Sequence, residues 1–317
     1  MSLPTGPDAT YEDAFSRPRR WVRRLLRPLQ WHIRGLLGLR RVLLVELRWR
    51  LGDEIMARPV VEALAARHPR DEVWLWTNFP EFSDDFLPKT RLNRMPPAVH
   101  RYCFLRSAPR TVYRPLHYAR LAGVPAPVTP PRILAPPLSP ALCEKLAELP
   151  RPWVAIAPGA SWANKRWPAD HWAALTASLR RQGLTVIELG CNDTAVPGVS
   201  ISLMNQTTPA EAAAVLAACD AAITCDSGLM HLALAVTTPT VALFGPTDPA
   251  YLVRSPLLHA ISNGLPCAGH WNQSEGTLEP GVCRCGKPTC LATITPESVQ
   301  ERLLAALASE RSRTVNY

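Results

Sequence analysis

Long apolar runs are missing from this sequence. No stretch of 18 apolar residues occurs, which excludes a membrane-spanning helix. The N-terminus lacks the unbroken apolar core and small-residue cleavage site of a signal peptide, so export is not expected. Nine Cys, an odd number scattered along such a chain, then argue for a reducing cytoplasm. No G-x-G-x-x-G follows the first convincing strand, which weakens a nicotinamide or flavin dehydrogenase reading. Lysine is scarce. Of 35 Lys and Arg only four are Lys, at Lys89, Lys145, Lys165 and Lys287, and a Lys inside a motif therefore invites a reason.

What is present is a chain of 317 residues, 47% apolar, for which two domains are the natural expectation. The net charge of +9 is unevenly placed. Residues 1–41 hold nine Arg against Asp8, Glu12 and Asp13, a surplus of +6, so the rest of the chain carries only +3. A nucleic-acid-binding body is not implied. Within residues 17–41, Trp21, Val22, Leu25, Leu26, Leu29, Ile33, Leu36 and Leu37 recur at helical spacing, with Arg23, Arg24, Arg27 and Arg34 on the other face. A basic amphipathic helix of this kind suits an anionic membrane surface, and docking on its own protein or a partner is the alternative.

From Arg41 the pattern is strand, helix, strand: an apolar run through Leu47, the turn Gly52-Asp53-Glu54, a helix over 55–68 with Pro59 inside it, and a strand over 73–77. Residues 78–137 are less regular, with faint strands near Leu92 and over 102–105 and helical spacing over 116–121. The proline-rich segment 124–140 reads as a linker. A second alternating unit follows: strand 153–157, loop 158–168, helix 169–182, strand 184–189, and a helix over 209–219 capped by Thr208 with Glu211 three residues on. Residues 221–225 form another buried strand, Asp226-Ser227-Gly228 breaks it, a short helix runs from Leu229, and residues 241–244 lead into Gly-Pro-Thr-Asp-Pro. Both polar turns fall at strand carboxyl ends, where ligands of doubly wound sheets sit. The amides of Gly228, Leu229, Met230 and His231 open a helix and offer an anion site, with Asp226 as cap in the plainer reading. His231 equally suits a packed, hydrogen-bonded histidine.

Three stretches in this order, LGDEIMARPVVEAL, APGASWANKRWPADHWAAL and CDSGLMHLALAVTTPTVALFGPTDP, resemble glycosyltransferase family 9, the ADP-heptose:lipopolysaccharide heptosyltransferases. With TITPESV near the end, the resemblance covers most of residues 151–310, while residues 1–40 lie outside it and 78–140 match poorly. It implies an α/β GT-B fold, two Rossmann-like doubly wound lobes with a cleft between them; with the basic arm over 1–40 set apart, these are an acceptor-side lobe over 41–138 and a donor-binding lobe over 139–317. It also implies inverting sugar transfer without a catalytic metal, from a nucleotide sugar to a glycolipid or saccharide acceptor, in the cytoplasm or at the inner face of the membrane.

The residue types suit that chemistry. An inverting transfer needs one carboxylate to take the acceptor hydroxyl proton. The resemblance assigns this to Asp53, with Glu54 its rival and a helix-cap role for Asp53 compatible. Lys165 and the amides of residues 228–231 answer the charge of the leaving diphosphate, and Ser161 donates to a phosphate. Asp226, by the resemblance, binds hydroxyls of the donated sugar, and Asp193 reaches toward the ribose. Cys267, Cys283, Cys285 and Cys290, with His270 as a substitute, fall within 24 residues and form a candidate structural zinc or iron site. A plain loop of cysteines is the alternative. Transfer to a protein, as in the autotransporter heptosyltransferases that resemble this family and carry Cys-rich metal fingers, competes with the lipopolysaccharide reading. A non-catalytic nucleotide-sugar-binding protein is the rival from another class.

Overall fold

The computed structural model describes residues 42–69, 71–88, 91–94, 96, 101–105, 109–127, 129–191, 195–273, 283 and 289–315. The arm over 1–40 and Asp193 and Cys285 lie outside the described residues. Two parallel sheets organise the rest.

The first sheet has the order β2-β1-β3, with β1 (Val42–Leu47) between β2 (Glu72–Thr77) and β3 (Arg101–Phe104). Leu92, where only a faint strand signal exists, makes an isolated parallel bridge to Leu75. Helices α1 (Leu51–Arg67) and α2 (Arg114–Ala122) bury Val60, Val61, Leu64 and Tyr118 against Leu43, Val45, Leu47, Val73 and Leu75. The second sheet is β6-β5-β4-β7-β8-β9, from β4 (Trp153–Ala157), β5 (Thr185–Glu188), β6 (Ile201–Ser202), β7 (Ala221–Cys225), β8 (Thr240–Leu243) and β9 (Leu258–Ile261). Its inner strands β5, β4, β7 and β8 are buried throughout because helices cover both faces. Helices α3 (Pro140–Leu146), α5 (Pro209–Ala218) and α6 (Gly228–Ala235) lie with one core, while α4 (Ala169–Arg181) and α9 (Pro296–Val315) lie with the other. Short helices α7 (His270–Gln273) and α8 (Thr289–Ala292) precede α9. Thr208 and Glu211 form the expected capping box on α5. No helix among the described residues is long and apolar enough to cross a membrane.

Three expectations need correction. The first helix begins at Leu51 and not at Ile55, so Gly52-Asp53-Glu54 is its opening turn, and Asp53 is inside the helix and not its cap. The cause is tertiary: Leu51 and Gly52 are pressed against α6, where an added Cβ on Gly52 would stand 2.6 Å from the His231 ring. Asp226 does not cap α6 either; the N-cap is Ser227 and makes no side-chain cap bond. The proline-rich segment is not a free linker. Ile133 is buried in the second unit's core and donates its amide to Ala235 O at 2.9 Å, and Ser139 caps the unanticipated α3 by accepting from Leu142 N.

Candidate active site

Each sheet has one point where successive connections leave in opposite directions, and side chains after those strands meet in the crevice outside the strand ends. In the first sheet that point lies between β1 and β3; in the second it lies between β4 and β7. Asp53 follows β1, Arg114 and Tyr118 follow β3, Lys165 follows β4 and Asp226 follows β7. The crossing of α1 over α6 joins the two groups, with Gly228 against Leu51 and Gly52 against His231.

On the first side, Arg114 forms an ion pair with Asp53 Oδ1, and Tyr118 Oη donates to the same oxygen at 3.2 Å. Burial, followed by the Asp53 charge, pushes the Tyr118 hydroxyl well above its usual pKa, so it keeps its proton. Burial works against the Arg114 charge, but the Asp53 and Asp226 carboxylates outweigh it and raise the guanidinium pKa. Glu54 is otherwise engaged. Its carboxylate accepts from Trp49 N at 3.1 Å, Asn78 N at 3.0 Å and the Thr77 hydroxyl, and burial lifts its pKa to about 7. It ties the β1 and β2 ends together instead of facing the crevice.

On the second side, Lys165 Nζ lies 2.6 Å from Asp226 Oδ2, and Thr247 Oγ1 donates to that oxygen at 2.6 Å. Burial would raise the Asp226 pKa, yet Lys165 and then Thr247 bring it below the ordinary value. The amides of Gly228, Leu229 and Met230 precede the first intrahelical bond of α6, in which His231 N reaches Ser227 O at 3.5 Å. The His231 amide is therefore taken, and its ring is buried. Desolvation lowers the ring pKa to about 4, so it is neutral at physiological pH. Ser161 is exposed, and its hydroxyl accepts from Arg50 Nη1 at 2.8 Å across the crevice. Lys165 also lies 4.1 Å from the centre of the Trp162 ring; Trp162 meets Trp271 edge-on at 4.5 Å, and Arg110 covers Trp271 at 3.5 Å.

The motifs thus bring Asp53, Lys165, Asp226 and the α6 amides together. The sequence reading missed Arg114, Tyr118 and Arg50. For Arg114 and Tyr118 the signal is their i,i+4 spacing in a helix with Pro115 in its first turn; Arg50 has no such local signal. In the cysteine tail, Cys290 is buried with Sγ 2.8 Å from where a Gly245 Cβ would stand, and Gly269 N donates to Gly245 O at 2.9 Å. The segments carrying Cys267 and Cys290 therefore flank one turn. His270 Nδ1 lies 2.8 Å from Cys267 O, while its buried Nε2 has no hydrogen-bond partner among the described residues. Among the described residues no three His, Cys, Asp or Glu gather closely enough to hold a metal ion.

Comparison with known proteins bears on the family and the fold. Lipopolysaccharide heptosyltransferase 2 of Escherichia coli K12 is 32% identical over 176 residues, 51% of this chain and 49% of that protein. Lipooligosaccharide heptosyltransferase 2 of Haemophilus influenzae is 35% identical over 176 residues, 50% of this chain and 48% of the relative. The chain thus spans about half the length of the curated relatives it matches. Among solved structures, the dodecameric iron-containing heptosyltransferase TibC, from enterotoxigenic E. coli H10407, was determined in complex with ADP-D-beta-D-heptose. That complex superposes with a TM-score of 0.69 at 18% identity, covering 85% of this chain and 76% of that one, a likeness of GT-B fold. The family model for glycosyltransferase family 9 (heptosyltransferase) matches residues 86–269, more than half of the sequence with Lys165 and Asp226 inside the match, and the chain belongs to that family.

Proposed function

We propose that this chain transfers heptose from ADP-heptose, with inversion, to a lipopolysaccharide-type acceptor. The observation that carries the reading is the meeting of two carboxylate–cation pairs at the two switch points, Asp53 with Arg114 and Asp226 with Lys165. The named activity of the curated relatives and the donor bound by TibC support the choice of sugar.

In this reading Asp53 takes the proton of the acceptor hydroxyl as its oxygen bonds the anomeric carbon. The bond from that carbon to the diphosphate breaks, and its electron pair leaves with the nucleotide. Lys165, Ser161 and the amides of Gly228, Leu229 and Met230 receive the diphosphate charge, which is worth most where the donors are fixed in advance. Asp226 takes hydroxyls of the sugar, and Asp193 the ribose. The test is direct. ADP-heptose should raise the melting temperature of wild type and of Asp53→Asn alike. ADP release with heptose-deficient lipopolysaccharide should fall by at least about 100-fold in Asp53→Asn. Near-wild-type turnover in that variant would remove Asp53 from the reading, and absence of any donor-induced shift would remove the donor.

Two peripheral features belong to the same proposal. The arm over 17–41 holds the enzyme at an anionic inner-membrane surface; deleting residues 1–40 should abolish low-salt binding to phosphatidylglycerol vesicles. The cysteine tail holds a structural zinc or iron through Cys267, Cys283, Cys285 and Cys290, or His270 in place of one. The buried Nε2 of His270 supports this, because an Nδ1–H bonded to Cys267 O leaves a lone pair on Nε2. Elemental analysis should find about one ion per chain, and none after Cys290→Ser.

A further inference from the structure

The Asp53 corner holds more than a base. Arg114 stands at the start of α2 and Tyr118 one turn later, so both point from one helix face to the opening turn of α1. Both reach the same atom, Asp53 Oδ1. No hydrogen bond to Oδ2 is present among the described residues. The neighbouring Glu54 cannot substitute, since its oxygens are held by Trp49, Asn78 and Thr77.

We propose that Arg114 and Tyr118 are positioning residues for Asp53: they anchor Oδ1 and thereby present Oδ2 to the acceptor hydroxyl. This rests on the reading of Asp53 as the base. A carboxylate free to rotate would offer either oxygen in many orientations, and holding one oxygen removes that freedom before the reaction begins. The two anchors divide the work. Arg114 is a permanent cation, so its bond to Oδ1 is charge-assisted and fixes that oxygen firmly. Tyr118 is wholly buried and retains its proton, so it remains a donor and never competes with Asp53 as a base. The proton passes from the acceptor oxygen to Oδ2; neither Arg114 nor Tyr118 gains or loses one.

The test is steady-state ADP release by the full chain, with ADP-heptose and heptose-deficient lipopolysaccharide, for Tyr118→Phe, Arg114→Met and Arg114→Lys. A hydrogen bond to a charged group lost from the transition state should lower kcat about tenfold in Tyr118→Phe and further in Arg114→Met, with the donor KM within about twofold. Arg114→Lys should recover part of the rate. In an Asp53→Asn background the same changes should alter the residual rate by less than about twofold, because groups that act through one another are not additive. Tyr118→Phe removes one oxygen and decides the matter should Arg114→Met fail to fold. Equal losses with and without Asp53, or a rise confined to donor KM, would overturn the positioning role while leaving Asp53 as the base. Wild-type turnover by Asp53→Asn would instead overturn the base assignment itself.

Discussion

The two carboxylate–cation pairs occupy matching places in their sheets, yet they are not built alike. The Lys165 and Asp226 side chains are 12% and 6% exposed, and a third group, Thr247, completes the contact. Arg114 and Asp53 are 25% and 16% exposed, and no described residue hydrogen-bonds the second oxygen of Asp53. The drier pair suits a ligand recognised the same way each time. The more open pair suits a group that must meet a large acceptor and release it. The difference also predicts which pair tolerates mutation.

Lys165→Ala should give the largest effect. It leaves Asp226 charged in a dry site, which costs about 3–5 kcal/mol when a buried partner is removed. It should also abolish the melting shift produced by ADP-heptose. Lys165→Met with Asp226→Asn should recover stability but not donor binding; recovery of both would dissolve the distinction between the pairs.

Gly52→Leu should come next. Even a Cβ at position 52 would stand 2.6 Å from His231 Cδ2, so α1 and α6 must move apart, at about 1–3 kcal/mol for an overpacked contact. Urea unfolding should show the loss, and turnover should fall because the two pairs separate. Combining Gly52→Ala with His231→Ala should be better tolerated than Gly52→Ala alone.

The smallest effect concerns pH. Between about 4.5 and 7 the folded chain keeps a proton on Glu54 that the unfolded chain has released, so this group makes stability fall as pH rises through that window. His231 acts oppositely: between about 4 and 6.5 only the unfolded chain is protonated there, and stability rises with pH. Glu54→Gln keeps an oxygen to accept from the Trp49 and Asn78 amides, and its NH2 donates to the Thr77 oxygen once that hydroxyl turns away, so it should fold and lose only the first trend. Its unfolding free energy should gain on wild type as pH increases from 5 to 7, and parallel curves would show that Glu54 is ionised in the folded protein.

The second unit was largely legible in the sequence. Its inner strands are short, mostly apolar runs because both faces are covered, and residues 221–225 coincide with β7. Thr208 announced α5 through purely local chemistry. The first unit was less so. β2 alternates between buried and half-buried residues, and β3 spans four residues after a stretch with little pattern. Asp53, Lys165 and Asp226 stood out by motif, but their ion-pair partners did not. Arg114 lies 61 residues from Asp53, as Lys165 does from Asp226, and nothing local records such a meeting. The start of α1 was misjudged for the same reason, since Leu51 and Gly52 are helical on account of what α6 places beside them.

Lys165 at rest is already shared between the Asp226 carboxylate and the face of Trp162. Any ligand that draws the ammonium away must offset both attractions, and a neutral ligand has nothing with which to do so. Under the proposed reading of Lys165 as a diphosphate partner, the arrangement works as a threshold on ligand charge. Adenosine and free heptose should be passed over, AMP should be held poorly, and ADP or an ADP-sugar should cross the threshold. Affinity should rise from one phosphate to two by more than a single added hydrogen bond would give. In that reading, selectivity for a diphosphate resides in the attachments its binding residue must give up.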